Sequence, residues 1–188
     1  AMAGRTHFEH RAAVTVTSRE QATTGLQALA AGEASRHSVT GAARGGKVAF
    51  LLTGQGSQRP GAGQRLYDTY PVFAEAIDEI ATLIDPHLDT PLKTVLFTDN
   101  ELIHQTLYTQ TSLFALHIAL YRLATQHGLH PHYLAGHSIG EISAAHIAGV
   151  LSLEDAAKLI VTRARLMQDL TTTGAMIDDE WLAEPLLE

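Results

Sequence analysis

The feature that most constrains this chain is a sharp turn between a short apolar run and a helix-forming segment. The turn, Gly136–Gly140, reads Gly-His-Ser-Ile-Gly; it follows Tyr133–Ala135 and precedes a predicted helix, Glu141–Val150. Small residues around a central serine permit a turn tight enough to expose its hydroxyl, which makes Ser138 the candidate nucleophile. The motif alone is equally typical of a plain strand-to-helix connection. The helix amino terminus favours developing negative charge, which supports the catalytic interpretation.

A second glycine-rich turn, Gly54–Gln58, follows Val48–Leu52. This run is apolar without alternation, as is typical of a central parallel strand. The turn could direct backbone N–H groups at an oxyanion or a phosphate. It lacks the Lys-Ser/Thr ending of a P-loop and the spacing of a dinucleotide fingerprint, which argues against nucleotide binding. Its interpretation as an ordinary loop stays open.

A third candidate, Arg163, lies in a predicted helix, Leu153–Leu170. Most arginines on such helices are solvated, and we expect this of Arg165. An inward-turned Arg163 would instead offer a planar fork to a carboxylate, and the sequence leaves both possibilities open. The predicted apolar face of the helix consists of Ala156, Leu159, Ile160 and Leu166.

Taken together, the Gly54–Gln58 turn, Gln110, the segment Gly136–Glu141 and Arg163 resemble the malonyl-type acyltransferases in order and spacing. The resemblance is closest to the acyltransferase domain of modular type I polyketide synthases. It implies an α/β fold with an α/β-hydrolase-like core, in which helices flank a central parallel sheet. It further implies a ferredoxin-like small subdomain, which we do not recognise in this sequence.

The resemblance also implies a role for each matching residue. Ser138 would form an acyl-enzyme ester, and the backbone N–H groups of Gln55 and Ile139 would form the oxyanion hole. Arg163 would pair with the free carboxylate of the malonyl group. Gln110 and His137 would complete the substrate site, His137 shaping it without acting as the base. Neither a cofactor nor a metal is implied.

The expected substrate is malonyl-CoA, because Ile139 after the serine and the segment Gln105–Gln110 resemble the malonyl pattern. Methylmalonyl enzymes of the family usually have glutamine after the serine. The resemblance implies a ping-pong transfer through Ser138 to the phosphopantetheine thiol of an acyl carrier protein. Residues 1–46 resemble the end of the linker that joins a ketosynthase to its acyltransferase, which implies a ketosynthase in the same polypeptide.

The general-base histidine of the family belongs to a stretch well beyond the serine, and we do not recognise it here. We therefore expect 47–176 to be an incomplete acyltransferase core, followed by an unassigned acidic and apolar tail, 177–188. A serine without its base is weakly nucleophilic, so this stretch alone should be nearly inactive. Two alternatives stay open: a serine hydrolase or thioesterase, and a non-catalytic fragment that acts as a scaffold or as half of a split assembly.

Composition limits the remaining function classes. With 188 residues and 45% hydrophobic content the chain can bury one sizeable core. The absence of cysteine excludes disulfides and a cysteine nucleophile, and a net charge of −7 argues against a nucleic-acid surface. No apolar run approaches the roughly 18 residues of a spanning helix, so we expect a cytoplasmic protein with no membrane partner. The group His127, His130 and His132 lacks carboxylate neighbours, which argues against a metal site.

The order of predicted elements indicates an α/β layer fold with a parallel sheet, whose functional loops lie at the carboxyl ends of the strands. A connection, Gly32–Gly46, should separate the linker from the core. Besides the elements already named, the pattern predicts helices Ser18–Ala31, Pro71–Ile84 and Thr111–Gln126 and a strand Lys47–Leu52.

Overall fold

The computed structural model describes residues 8–33, 35–43 and 45–170. The chain divides into two compact units, Ala1–Lys47 and Val48–Glu188. The predictions for the tail 177–188 lie outside the described residues. The assignment of 1–46 as a linker and of 47–176 as an incomplete core stays a prediction.

The first unit contains a helix and a pair of antiparallel strands. Helix α1, Arg19–Ala31, was expected; its first turn is capped by the Ser18 hydroxyl, which accepts a hydrogen bond from the Gln21 N–H. Strands β1, His10–Val14, and β2, Ser38–Ala42, pair antiparallel. The predicted connection over Gly32–Gly46 contains β2, a strand that the sequence did not indicate. Both strands are mainly exposed and lack the alternation that would have marked them.

In the described part of the second unit a short strand is followed by four α-helices, a second short strand and two further α-helices. Its strands are β3, Ala49–Leu52, and β4, Tyr133–Gly136. Its helices are α2, Gln64–Thr69, α3, Pro71–Ile84, α4, Leu92–Thr98, α5, Thr106–Gln126, α6, Ile139–Ile147, and α7, Leu153–Gln168.

Strands β3 and β4 form a parallel pair, with Ala49 opposite Tyr133 and Leu52 opposite Gly136. Parallel strands require a long crossover, and helices α2 to α5 provide it. The predicted α/β class with a parallel sheet is confirmed. Both strands end at the same edge, so the loop after β3 and the turn after β4 meet there. Within the described residues β3 has one neighbouring strand, and Leu51 is 78% exposed.

Helix α5 forms the centre of the core, since its residues from Leu107 to Ala119 are all buried. Large side chains of α3 and α7 belong to the same apolar cluster, among them Phe73, Ile77 and Ile160. No helix in the described part of the chain is long and apolar enough to cross a membrane.

Three helices differ from their predictions. Helix α6 runs from Ile139 to Ile147 and not over the predicted Glu141–Val150. Helix α5 begins at Thr106, five residues before the predicted Thr111, because buried hydroxyls there find partners within the fold. The Thr109 hydroxyl, for example, donates to the Ile103 carbonyl at 2.7 Å. On α7 the predicted apolar face was half wrong: Leu159 and Leu166 are 44% and 66% exposed. The buried face of α7 is instead Ala156, Ala157, Ile160, Val161 and Ala164.

Two glycines let the start of α6 touch both strands. A Cβ atom added at Gly140 would lie 2.2 Å from the Leu52 carbonyl oxygen. A Cβ atom at Gly136 would lie 2.1 Å from the Gly140 carbonyl carbon. Real Cβ atoms do not approach other atoms this closely, so only glycine permits this packing.

One polar residue of α5, His117, is buried and only 7% exposed. Its Nε2 lies 3.2 Å from the Thr53 hydroxyl and its Nδ1 lies 3.0 Å from the Ser143 hydroxyl. Burial lowers the pKa of His117 from 6.5 to about 4, because desolvation disfavours the charged imidazole. His117 is therefore neutral at neutral pH and donates through one ring nitrogen while accepting through the other.

Replacing Gly140 with alanine should destabilise the second unit by roughly 2–3 kcal/mol, because the new methyl group overlaps rigid backbone atoms. Gly149→Ala is the matched control: its φ of 79° is left-handed, but nothing lies within 4 Å of the added atom. Strain alone should cost about 1 kcal/mol there. Urea unfolding followed by circular dichroism gives both values, and equal losses would contradict the close packing at Gly140.

The buried His117 should make the fold sensitive to acid. Its folded-state pKa of about 4 lies below the ordinary value of 6.5, so between these values the unfolded chain binds more protons. The free energy of unfolding should therefore fall as the pH drops from 6.5 to 4, by an amount on the order of 3 kcal/mol. In His117→Gln the free energy of unfolding should not show this decrease between pH 6.5 and 4. His130→Gln, at an exposed position, should keep it. Identical pH dependence of denaturant midpoints in wild type and His117→Gln would refute the prediction.

Candidate active site

Ser138 occupies the sharp turn between β4 and α6, in the strand–turn–helix setting expected from the sequence. Its φ of 54° and ψ of −113° make it the one non-glycine residue with positive φ among the described residues. Such a backbone costs about 1–3 kcal/mol and persists only where the surrounding structure imposes it. Here the Gly136 N–H donates to the Glu141 carboxylate at 3.2 Å across the turn. The serine side chain is exposed and accessible to a ligand.

The backbone beside Ser138 presents an unused donor. Ile139 is the first residue of α6, and its N–H group donates to no acceptor among the described residues, as expected at a helix amino terminus. Because Ser138 directly precedes α6, the partial positive charge of this helix terminus lies at the turn that carries the serine. Ile139 itself is buried, which fixes the position of its N–H group.

The loop after β3 provides a second unused donor. The Gln55 N–H has no hydrogen-bond acceptor in the described part of the chain, and the Gln55 side chain is exposed. Its neighbours close the loop on itself, since the Ser57 hydroxyl donates to the Gly54 carbonyl at 3.0 Å. His137 packs over this loop: a Cβ atom added at Gly54 would lie 2.4 Å from His137 Nδ1. His137 thus contacts the loop and has no hydrogen bond to Ser138.

Arg163 on α7 points at the nucleophile. One guanidinium nitrogen donates to Ser138 Oγ at 2.9 Å, and the other terminal nitrogen donates to the Gln110 side-chain oxygen at 2.5 Å. Gln110 is fully buried, and its amide nitrogen contacts the Met167 sulfur at 3.3 Å. The inward orientation, which the sequence left open, is therefore the one observed. Arg165 is exposed as expected, and its guanidinium donates to the His87 carbonyl.

The structure thus places Arg163 in direct contact with both Ser138 and Gln110. The other predicted residues lie on neighbouring segments: Gln55, His137 and Ile139. In the part of the chain that the structure describes, Ser138 Oγ has no hydrogen bond to a histidine or a carboxylate. The described residues also include no group of three or more histidine, aspartate or glutamate side chains placed to hold a metal ion.

Sequence reasoning missed the hydrogen bonds of His117 beneath the site. Because His117 falls within the predicted helix Thr111–Gln126, the sequence indicates a packing or surface residue, which accounts for its burial but not for its partners. A signal was available on α5, because Gln110 and His117 lie two helical turns apart and share a face. The signal was hidden because the predicted helix began after Gln110.

The comparisons with known proteins identify the family of this chain. Residues 49–183 match the model of a family described as the acyl transferase domain. A phenolphthiocerol synthesis polyketide synthase, type I Pks15/1 of Mycobacterium marinum, is 48% identical over 178 residues. That match covers 94% of this chain but 8% of the synthase, so the chain spans a small part of its relative.

Two solved structures resemble the described fold. The acyltransferase domain from the second module of the salinomycin polyketide synthase is 45% identical with a TM-score of 0.78, over 86% of this chain and 38% of that chain. An acyl carrier protein S-malonyltransferase from Vibrio cholerae is 36% identical with a TM-score of 0.60, over 66% of this chain and 40% of that chain. The family match covers more than half of the sequence, and the turn around Ser138 lies inside it; the chain belongs to the acyl transferase domain family and resembles the acyltransferase domains of polyketide synthases.

Proposed function

We propose that this chain carries the nucleophile of an acyltransferase that moves a malonyl group from coenzyme A to an acyl carrier protein. Ser138 Oγ attacks the thioester carbonyl, the C–S bond breaks, and coenzyme A leaves as its thiol after taking up a proton. The phosphopantetheine thiol then attacks the serine ester, the C–O bond breaks, and Ser138 regains its proton. One serine serves both half-reactions, so the kinetics are ping-pong.

The observation that carries the proposal is the position of Arg163. Its guanidinium lies 2.9 Å from the nucleophile and is held from the other side by the buried Gln110. A planar guanidinium is suited to bind a carboxylate through two parallel hydrogen bonds. An acyl group that carries a free carboxylate near its thioester, as malonyl does, would place the carboxylate on Arg163 and the thioester carbonyl beside Ser138.

The two unused N–H groups support the same chemistry. Acyl transfer passes through tetrahedral intermediates whose oxyanion needs fixed donors. The N–H groups of Gln55 and Ile139 have no acceptors among the described residues; the first belongs to the loop after β3 and the second directly follows Ser138, so they suit this role. No cofactor enters these steps, because coenzyme A arrives with the substrate.

The malonyl assignment rests on two further arguments. Ile139 and the segment Gln105–Gln110 fit the malonyl pattern of the family. The similar Vibrio cholerae protein is an acyl carrier protein S-malonyltransferase, and at 36% identity its substrate and carrier are reasonable models for this chain. The proposed partners are accordingly malonyl-CoA and an acyl carrier protein, with a ketosynthase in the same polypeptide.

The proton of Ser138 requires an acceptor. Since the described residues place no histidine or carboxylate against Ser138 Oγ, we propose that the general base is a histidine outside them, as the family resemblance implies. The Arg163 donation leaves the serine hydrogen available for that base, because the guanidinium occupies a lone pair of the oxygen and not its proton.

Ser138→Ala should abolish covalent labelling of the full-length protein by radioactive malonyl-CoA, because the ester cannot form without the hydroxyl. Intact-protein mass spectrometry measures the label and peptide mapping locates it. Ser152→Ala is the control, since it removes an exposed serine that caps α7 and should leave labelling intact. Persistent labelling in Ser138→Ala would remove the nucleophile assignment. Rapid release of free malonate without a carrier protein would favour a hydrolase.

Arg163→Ala should lower the preference for malonyl-CoA over acetyl-CoA by on the order of a hundredfold, since charge-assisted hydrogen bonds to the carboxylate are lost. The ratio of kcat/KM for the two thioesters measures the preference in the full-length protein. Arg165→Ala is the matched control on the same helix and should keep the wild-type ratio. An unchanged ratio in Arg163→Ala would contradict the assigned role of this guanidinium.

A further inference from the structure

His117 is hydrogen-bonded to two segments that lead into the candidate site: the carboxyl end of β3 and helix α6. Toward β3, His117 Nε2 lies 3.2 Å from the Thr53 hydroxyl. Toward α6, His117 Nδ1 lies 3.0 Å from the Ser143 hydroxyl. These two contacts connect segments that are far apart in the sequence through a single imidazole ring.

On the β3 side the hydrogen bonds continue into the loop that contains Gln55. The Ser57 hydroxyl lies 2.8 Å from the Thr53 hydroxyl and 3.0 Å from the Gly54 carbonyl oxygen. Thr53 and Ser57 therefore bracket the loop residues 54–56. A displacement of Thr53 would be transmitted to the Gln55 N–H, which lies two residues further on.

On the α6 side the hydrogen bonds end beside the nucleophile. The Ser143 hydroxyl oxygen lies 3.4 Å from the Ile139 carbonyl oxygen, one helical turn earlier. Ser143 and Ile139 are both fully buried. The imidazole is thus connected to the first residue of α6, whose N–H group is the second candidate donor.

The imidazole itself has little freedom to move. It is 7% exposed and projects from the middle of α5, whose residues from Leu107 to Ala119 are all buried. A ring fixed in a packed helix and bonded through both nitrogens holds a constant separation between its partners. An oxyanion hole requires such constancy, because its two donors must each lie about 3 Å from the same oxygen.

We propose that His117 is a positioning residue that sets the spacing between the backbone N–H groups of Gln55 and Ile139. It does not touch the substrate and acts through Thr53 and Ser143. The proposal rests on the proposed function, since it assumes that these two N–H groups bind an oxyanion. It goes further in assigning the preorganisation of that oxyanion hole to one buried side chain.

The test separates positioning from a purely structural role with variants that each keep one of the two imidazole hydrogen bonds and lose the other. His117→Gln places an amide near the Nε2 position and can keep the link to Thr53. His117→Asn places an amide near the Nδ1 position and loses that link while keeping Ser143 within reach. Thr53→Val breaks the same link from the exposed side, where folding is little affected. Thr82→Val, on exposed α3 surface, is the control for loss of a threonine hydroxyl.

Two reagents report on the full-length protein under single-turnover conditions. Malonyl-CoA forms the serine ester. A fluorophosphonate also reacts with an activated serine, its P–F bond breaking with loss of fluoride while its phosphoryl oxygen occupies the oxyanion hole. The second reagent needs no malonyl pocket, so it reports on the oxyanion hole independently of the proposed substrate.

We expect His117→Asn and Thr53→Val to slow both reactions about tenfold at saturating reagent, the factor given by about 1.4 kcal/mol of lost transition-state stabilisation. The apparent affinity for malonyl-CoA should stay unchanged, because Arg163 is not disturbed. His117→Gln should retain more of the rate than His117→Asn, because it keeps the link to Thr53 on the loop side, whereas Ser143 and Ile139 stay one turn apart within α6 without the imidazole. In the His117→Asn background Thr53→Val should slow the reactions by much less than a further tenfold, because one of the two hydrogen bonds that it removes is already broken. The amide resonance of Gln55 should shift in Thr53→Val and His117→Asn but not in Thr82→Val.

Wild-type rates with both reagents in folded Thr53→Val and His117→Asn would overturn the proposal, as would equal losses in His117→Gln and His117→Asn. Wild-type labelling by the fluorophosphonate but not by malonyl-CoA would contradict the proposed function and leave the fluorophosphonate rates to decide the role of His117. If neither reagent modifies wild-type Ser138, there is no oxyanion hole to position and both proposals fail.

Discussion

The site depends on one close backbone contact, between the carboxyl end of β3 and the first turn of α6. Gly140 packs against the Leu52 carbonyl, and Gly136 packs against the turn that follows it. A side chain at either position would place its Cβ atom 2.1–2.2 Å from these backbone atoms and would force them apart. Because the Gln55 loop continues from β3 and Ser138 precedes α6, this contact determines whether a loop donor and a helix donor can reach the same substrate atom. Backbone packing, more than side-chain chemistry, therefore creates the site.

A feature of this fold or site could be predicted from the sequence where the residues that determine it are neighbours along the chain. Helix α3 was predicted with its observed ends, Pro71 and Ile84, because a proline at the first position and a regular apolar face are local signals. The five residues Gly136–Gly140 were also enough to predict the sharp turn at Ser138. The start of α5 could not be predicted, since the polar residues around Thr109 resemble a loop until their burial and their hydroxyl partners are known.

The orientation of Arg163 was equally beyond the sequence. Two arginines, Arg163 and Arg165, lie on the same helix, and the predicted apolar face included the exposed Leu159 and Leu166. Which arginine turns inward depends on the rotation of α7 about its axis, and packing against α5 sets that rotation. Small residues such as Ala156 and Ala164 allow the close approach, but their low hydrophobicity made the true face hard to recognise.

Helix α5 joins the two chemical requirements of the site. Gln110, in its second turn, holds the guanidinium that faces the nucleophile, and His117, two turns later, is bonded to the segments of both candidate oxyanion donors. Both side chains are buried, so neither can adjust without moving the helix. A substitution that shifts α5 along its axis should therefore alter carboxylate recognition and oxyanion stabilisation together. A substitution at the surface of the Gln55 loop can alter only the second. The two properties can therefore be changed separately on the loop but not on α5, because α5 contacts the groups responsible for both.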